Sequence, residues 1–331
     1  AGKALRTGNR NTLIGGEAGH DMDNAQFNVA VGYNAMGKEV QGDRNTAVGY
    51  FAMYTQVNSG TEVPANSAFG GFSGYYNATG ERNTYIGYES GYGTDGNSQS
   101  NNVALGYQSF GRVTTASGSV MIGVRAGFNV TSGNSNIAIG SGSMGVATVT
   151  GNDNIAIGTH AGDALTSGTK NMAMGYDALG DMTVGTNNIA FGYESMNALQ
   201  GNDGGFGNHN IAIGTDSMGS VEGYHSGTEI DGNIAIGTNA MLGGDLANNN
   251  VDFKSNIAIG QNALDATSNN AQVGAIAIGF NALTAMTTGG SSTGGNTAIG
   301  YEAAKQTTTG GGNTALGYLA LSGDSDGDGG D

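Results

Sequence analysis

The chain has 331 residues, of which 63 are glycine, one is proline and none is cysteine or tryptophan. Glycine in this amount without a Gly-X-Y register and without proline excludes collagen, and the lack of cysteine excludes disulfides and thiolate metal sites. A net charge of -16, from 11 basic against 27 acidic residues, argues against a nucleic-acid partner, which demands clustered Lys and Arg. No apolar run approaches the ~18 residues of a membrane span, so no membrane insertion is expected of this segment, and AGKALRTGNR at the start does not read as a signal peptide.

Residues 1–7 read as a lead-in. From residue 8 to 322 the chain is one repeat, and 323–331 is an acidic Gly/Asp tail. Seventeen anchor glycines mark the copies, from Gly15, Gly32 and Gly49 through Gly140, Gly158, Gly175 and Gly192 to Gly300 and Gly317. The base spacing is 17 residues; the array is regular to about residue 199 and carries loop insertions from about 200 to 310. Immediately before each glycine stands a large apolar residue, two before it Ala in all but Leu13, Tyr85 and Met121, and four before it Asn in all but Ser119 and Ala275. Three after the glycine is always Ala or Ser. Each copy therefore predicts a short strand, a glycine corner, a second short strand and a turn rich in Gly, Asn, Asp and Thr.

Coils of this length stack with parallel strands at about 4.8 Å, so the array predicts an all-β parallel solenoid, a rod of roughly 80 Å for the full set. Alternation sends Ile211 and Ile213 to one face and Ala212 to the other. Both faces are apolar, and one coil has one interior. The alanine face is expected to lie against a partner chain in a homotrimer, or else to fill a tight monomeric coil. The recurring asparagines, such as Asn136, Asn154, Asn188 and Asn210, predict a stacked side-chain ladder or caps of the turn before the strand. Methionines four after the glycine, Met36, Met53, Met144, Met196, Met218 and Met241, share their register with Leu179, Leu264 and Leu321, which favours packing over a sticky surface. The tyrosines after the glycine, among them Tyr33, Tyr50, Tyr88, Tyr107, Tyr176 and Tyr193, either pack at the outer corner or form an exposed aromatic ladder able to hold sugars.

The unit in NIAIGTHA (154–161) and NIAIGTDS (210–217) resembles the head repeats of trimeric autotransporter adhesins of the YadA type. GDRNTAVGYFAM (42–53) and GGNTALGYLAL (311–321) look still more like the GNxNTAIGYxAL arrays of phage and prophage tail-fibre proteins. This resemblance implies a left-handed β-roll, three chains about one axis and attachment to host surfaces from an extracellular appendage or virion tail fibre. It brings no catalytic residues, and the chain lacks the stalk and barrel of the one family and the chaperone domain of the other.

The expectation is thus a non-enzymatic adhesin rod without a cofactor, binding a cell-surface glycan or protein receptor through its inserted loops. Candidate contact residues are Tyr54, Glu62, Asp203, Phe206, His209, Glu222, Tyr224, His225, Asp245 and Asp252. His209 and His225 could meet Asp203 or Glu222 across neighbouring loops, although solvated loop histidines read better than a metal site. Asp324, Asp326 and Asp328 match the start of a calcium loop whose later Glu is missing, so a flexible acidic tail is preferred there. An end-to-end structural filament is the competing reading; a glycan-cleaving tailspike would need paired carboxylates in a groove.

Overall fold

The structure, a computed structural model, describes residues 1–57, 63–199, 207–221, 229–243, 252–265, 272–286, 295–308 and 310–323. No described residue is helical, and none belongs to a helix long and apolar enough to cross a membrane. The fold is an all-β parallel solenoid, described in two compact units, Ala1–His160 and Ala161–Asp331. The first unit stacks nine three-residue strands: β1 (Thr12–Ile14), β2 (Val29–Val31), β3 (Thr46–Val48), β4 (Ser67–Phe69), β5 (Thr84–Ile86), β6 (Val103–Leu105), β7 (Val120–Ile122), β8 (Ile137–Ile139) and β9 (Ile155–Ile157). In the second unit the equivalent strands are β10 (Met172–Met174), β12 (Ile189–Phe191), β14 (Ile211–Ile213), β16 (Ile234–Ile236), β18 (Ile257–Ile259), β20 (Ile276–Ile278), β21 (Thr297–Ile299) and β22 (Thr314–Leu316).

Each strand pairs in parallel with the equivalent residues of the next coil. Val29, Ala30 and Val31 of β2 face Thr46, Ala47 and Val48 of β3, 17 residues on. Ile211, Ala212 and Ile213 of β14 face Ile234, Ala235 and Ile236 of β16 across 23 residues. Insertions therefore leave the register untouched. A one-residue slip would turn the alanine face outward, and this fixes the pairing.

Of the two placements open to the alanine face, the chain adopts the second: alanine fills the tight coil and does not face outward toward a partner. The alanine at the strand centre points into the coil, with Ala190, Ala212 and Ala235 fully buried, whereas Phe191 is 52% exposed and Ile213 39%. Beside the buried Met and Leu column, the interior of a 17-residue coil takes one small side chain from each strand, so the alanine goes inside and its two larger neighbours outside. Where the central residue is large, the same coil provides the space: Leu13, Tyr85 and Met121 are matched by Gly19, Gly91 and Gly127 four after the anchor glycine, a position that holds Met or Leu in ten of the other coils, Phe110 and Ala304 in two, and Gly74 and Gly162 in the remaining two. A Cβ on Gly127 would come within 2.9 Å of Met121 Cγ, and one on Gly19 within 3.0 Å of Leu13 Cδ2. The methionines in that column, Met36, Met53, Met196, Met218 and Met241, are fully buried, as their register predicts.

The corner follows from the glycine. Gly140 has φ +129°, and a Cβ there would stand 2.5 Å from the carbonyl oxygen of Gly158 in the next coil. Both the conformation and the close approach need glycine. No second strand follows it. Residues two and four after the glycine adopt left-handed backbone, as at Asn34 (φ 53°) and Met36 (φ 51°) or Glu194 (φ 50°) and Met196 (φ 52°), and this alternation cannot extend into a strand. The second sheet instead lies just ahead of the position four before the anchor glycine, Asn in every coil of this sheet but that of Ala275, in the second unit alone among the described residues: β11 (Gly185–Thr186), β13 (Gly207–Asn208), β15 (Ile230–Asp231), β17 (Phe253–Lys254) and β19 (Gln272–Val273), paired in parallel.

Polar groups in the interior are ordered as columns. The backbone N–H of Asn210 donates to Asn188 Oδ1 at 3.0 Å, Asn210 Nδ2 donates to the same oxygen at 3.1 Å, and Asn188 Nδ2 donates to the Gly207 carbonyl at 2.7 Å. The asparagines thus form a ladder and hold the preceding turn as well. Serine three after the glycine donates to a strand or corner carbonyl: Ser195 Oγ to Ala212 O and Ser217 Oγ to Ala235 O of the next coil, both at 3.1 Å, and Ser109 Oγ and Ser143 Oγ to their own anchor carbonyls, Gly106 O at 3.2 Å and Gly140 O at 3.1 Å. Every copy has Ala or Ser in this slot.

Candidate functional site

In-register stacking places the residue at a given offset from the glycine directly over its equivalent in the next coil. An aromatic residue recurring at one offset therefore builds a column. Immediately after the glycine, Tyr33 and Tyr50 stack with centroids 5.9 Å apart and planes 18° apart, Tyr88 and Tyr107 at 5.9 Å and 10°, and Tyr176 and Tyr193 at 5.3 Å and 10°. These rings are about half exposed, so the tyrosines form the exposed ladder rather than a packed corner.

The first unit carries two further columns beside this one. Phe51 and Phe72 stack at 5.9 Å, two after the glycine. Five after it, Tyr54 stacks on Tyr75 at 5.4 Å, and Tyr75 on Tyr92 at 5.4 Å with planes 15° apart. Edge contacts join the columns, Phe51 to Tyr54 at 4.9 Å and Tyr50 to Phe51 at 4.6 Å, so that one aromatic face runs over several coils. Lys38 lies over the Tyr54 ring at 5.1 Å.

The outermost column then loses a rung. In the next coil the position five after the glycine is Gly111, and the column resumes at Phe128. A cavity of about 340 Å³ opens there, lined by Tyr92, Gly111, Phe128, Glu89, Gln108 and Arg112 among others. Gln108 Nε2 donates to Glu89 Oε2 at 2.8 Å. The guanidinium groups of Arg125 and Arg112 lie 4.5 Å and 5.3 Å from the Phe128 ring centre. Burial, aided by Tyr76, Tyr75 and Glu89, pushes the Tyr92 phenol up to about 12, and a hydrogen bond to Glu89 raises Tyr88. Both phenols stay neutral at ordinary pH.

Three of the predicted contact residues fall within the described residues, and the structure does not bring them together. Tyr54 belongs to the aromatic face of the first unit. His209, in the second, has left-handed backbone and meets Asp231, with Nδ1 3.0 Å from Oδ1, and Asn187 Nδ2, 3.3 Å from its Nε2. Asp252 meets Lys254 Nζ at 2.8 Å, and Glu229 meets the same nitrogen at 2.8 Å; these two hydrogen bonds raise the Lys254 ammonium pKa. Glu62, Asp203, Phe206, Glu222, Tyr224, His225 and Asp245 lie outside the described residues, as do Asp324, Asp326 and Asp328. Among the described residues no group of three His, Asp or Glu is placed to hold a metal ion.

Tyr75, Tyr92, Glu89, Gln108, Arg112 and Phe128 were not predicted from the sequence. Counting five from each anchor glycine gives Tyr54, Tyr75, Tyr92, Gly111 and Phe128 in order, so the column and its gap can be read from the repeat itself.

A second surface is the outward strand face. It carries the residues three before and one before the glycine, uncharged in every described coil, with Phe69, Ile86 and Leu105 in the first unit and Phe191, Ile213, Ile259 and Ile299 in the second between 36% and 52% exposed. No protein-family model matches the chain, and no curated protein matches it. The fold and its two surfaces define the chain as a parallel β-solenoid with one apolar and one aromatic face.

Proposed function

We propose that the chain is a non-catalytic attachment rod, three copies of which associate along their outward strand faces, and that it works outside the cell as part of a fibre or adhesin head. The carrying observation is the uncharged stripe of large side chains, which a lone chain leaves half in water. Exposed apolar surface of this extent marks an interaction face. Its columns repeat at every coil, and a second copy of the same chain offers the same repeat, side chain for side chain. Burying the exposed half of these side chains is worth on the order of 10–20 kcal/mol over the nine coils of the first unit. That exceeds most of the association cost of about 4–15 kcal/mol. The resemblance to trimeric heads and tail-fibre arrays supports three as the number, and cell-surface receptors as the target of the aromatic face and inserted loops. No cofactor enters this reading.

Sedimentation equilibrium is the direct test. A mass three times the chain's 33.0 kDa is expected; a stable monomer across the concentration range overturns the assembly. Labelled protein should bind cell envelopes saturably, and the absence of such binding to any envelope tested overturns the attachment role.

A further inference from the structure

We propose that the gap at Gly111 is a seat for the ring of a neutral hexose, stacked on Tyr92 and hydrogen-bonded by Glu89, Gln108 and Arg112. One face of Tyr92 is covered by Tyr75 at 5.4 Å, and the ring that would cover the other face is missing because the next residue of the column is Gly111. Phe128 does not supply the replacement face, since Arg125 and Arg112 already lie over it. It forms the wall of the cavity, with a notional Gly111 Cβ only 2.5 Å from its ring edge. Tyr92 is thus left as a platform with one open face, beside a concave site of about 340 Å³, within the range of small-ligand pockets.

The polar rim selects the ligand. Glu89 accepts hydrogen bonds only, Arg112 donates only, and Gln108 does both. A hydroxyl group donates and accepts, so adjacent sugar hydroxyls can satisfy the carboxylate and the guanidinium together. A phosphate or carboxylate ligand would face Glu89, and an ammonium ligand would face Arg112; a neutral polyol meets neither penalty. The apolar face of a pyranose, formed by its C–H groups, suits an aromatic platform better than it suits any other part of the rim. This inference rests on the attachment reading for its setting, naming the receptor chemistry, while the binding itself is a property of one unit of one chain.

Saturation-transfer NMR with methyl glycosides of glucose, galactose, mannose and N-acetylglucosamine, on the full chain, tests it. At least one is expected to bind saturably with Kd below about 10 mM, weak as single-ring ligands are. Tyr92→Ala should weaken that binding at least tenfold and Tyr92→Phe leave it within threefold, because the platform and not the hydroxyl carries the contact. Tyr193→Ala, on the ladder of the second unit, should change nothing, and circular dichroism of all three variants should match the parent. Binding indifferent to Tyr92→Ala, no hexose binding at all, or preference of the gap for phenol or a sulfated sugar overturns the proposal. Envelope binding that survives Tyr92→Ala overturns the seat as the receptor site and leaves the attachment role standing; hexose binding by a chain that attaches to no envelope does the reverse.

Discussion

At the residue scale, the left-handed backbone positions separate into those that only turn the chain and those that also lack space. Gly140 belongs to the second kind, with the Gly158 carbonyl oxygen 2.5 Å from where its Cβ would be. Gly312, at φ +77°, has nothing within 4 Å, and the same place in other coils is held by Arg44, Arg82, Asp153 and Lys170 at φ 57–60°. Gly140→Ala should therefore cost about 2–4 kcal/mol in guanidinium unfolding, while Gly312→Asn should stay within about 0.5 kcal/mol of the parent. Equal effects would mean that φ and not the neighbouring coil sets the requirement. Charge provides a second case. Burial first, and then Glu194 in the preceding coil, raises the Asp216 carboxyl above its ordinary value. A raised acid holds its proton more tightly folded than unfolded, so its contribution to stability is present at acid pH and is lost as pH rises through the folded value. Asp216→Asn should raise the melting temperature at pH 7, and the gain should vanish below the usual carboxylate pKa of about 4; a gain of the same size at both ends of the pH range would refute the account.

At the element scale, a three-residue strand is too short to persist alone, and what holds it is the column on either side of it. The asparagine ladder is the clearest instance. Asn188 accepts the Asn210 backbone N–H and is itself fully buried, so Asn188→Ala leaves that N–H without a partner inside the coil. The expected cost is about 2–3 kcal/mol, with faster hydrogen exchange at the Asn210 amide. Asn188→Ser should cost less, because Ser119 already fills the role naturally, its Oγ accepting the Asn136 backbone N–H at 3.1 Å; serine proving as costly as alanine would count against the ladder as the source of stability. The repeat, its register, the asparagine ladder and the buried methionines were all legible in the sequence, since each is a residue type recurring at a fixed offset from a glycine. The second strand that the sequence predicts after that glycine does not form. Residues such as Glu194 and Met196 sit there in left-handed backbone, which their propensities do not announce and which only stacking against the next coil enforces. The gap at Gly111 was hidden for another reason: one more glycine among 63 draws no notice until the column it interrupts is seen.

On the scale of the whole molecule, the decisive fact is which strand face is inside. Alternation alone says that Ala212 and Ile213 point opposite ways, and it is silent on which way is in. Hydrophobicity would put isoleucine inside; the volume of a 17-residue coil puts alanine there, and the larger side chains become the outward surface, the one proposed as the meeting face of copies. The two assignments make opposite predictions for the same pair of substitutions. With alanine inside, Ala104→Asp places an unpaired charge in a dry interior and should unfold the first unit or lower its melting point by 10 °C or more on the order expected for several kcal/mol. Leu105→Asp, on the outward face, should leave a folded chain; combined with Phe69→Asp and Ile86→Asp it should lower the sedimenting mass to that of one chain, as like charges are then set opposite one another over three adjacent coils of each copy-to-copy contact. Should the triple outward variant keep its assembled mass, the stripe is not where copies meet. Should Ala104→Asp dissociate the assembly with its circular dichroism intact, the alanine face is the interface after all, and the inward packing described for it is wrong.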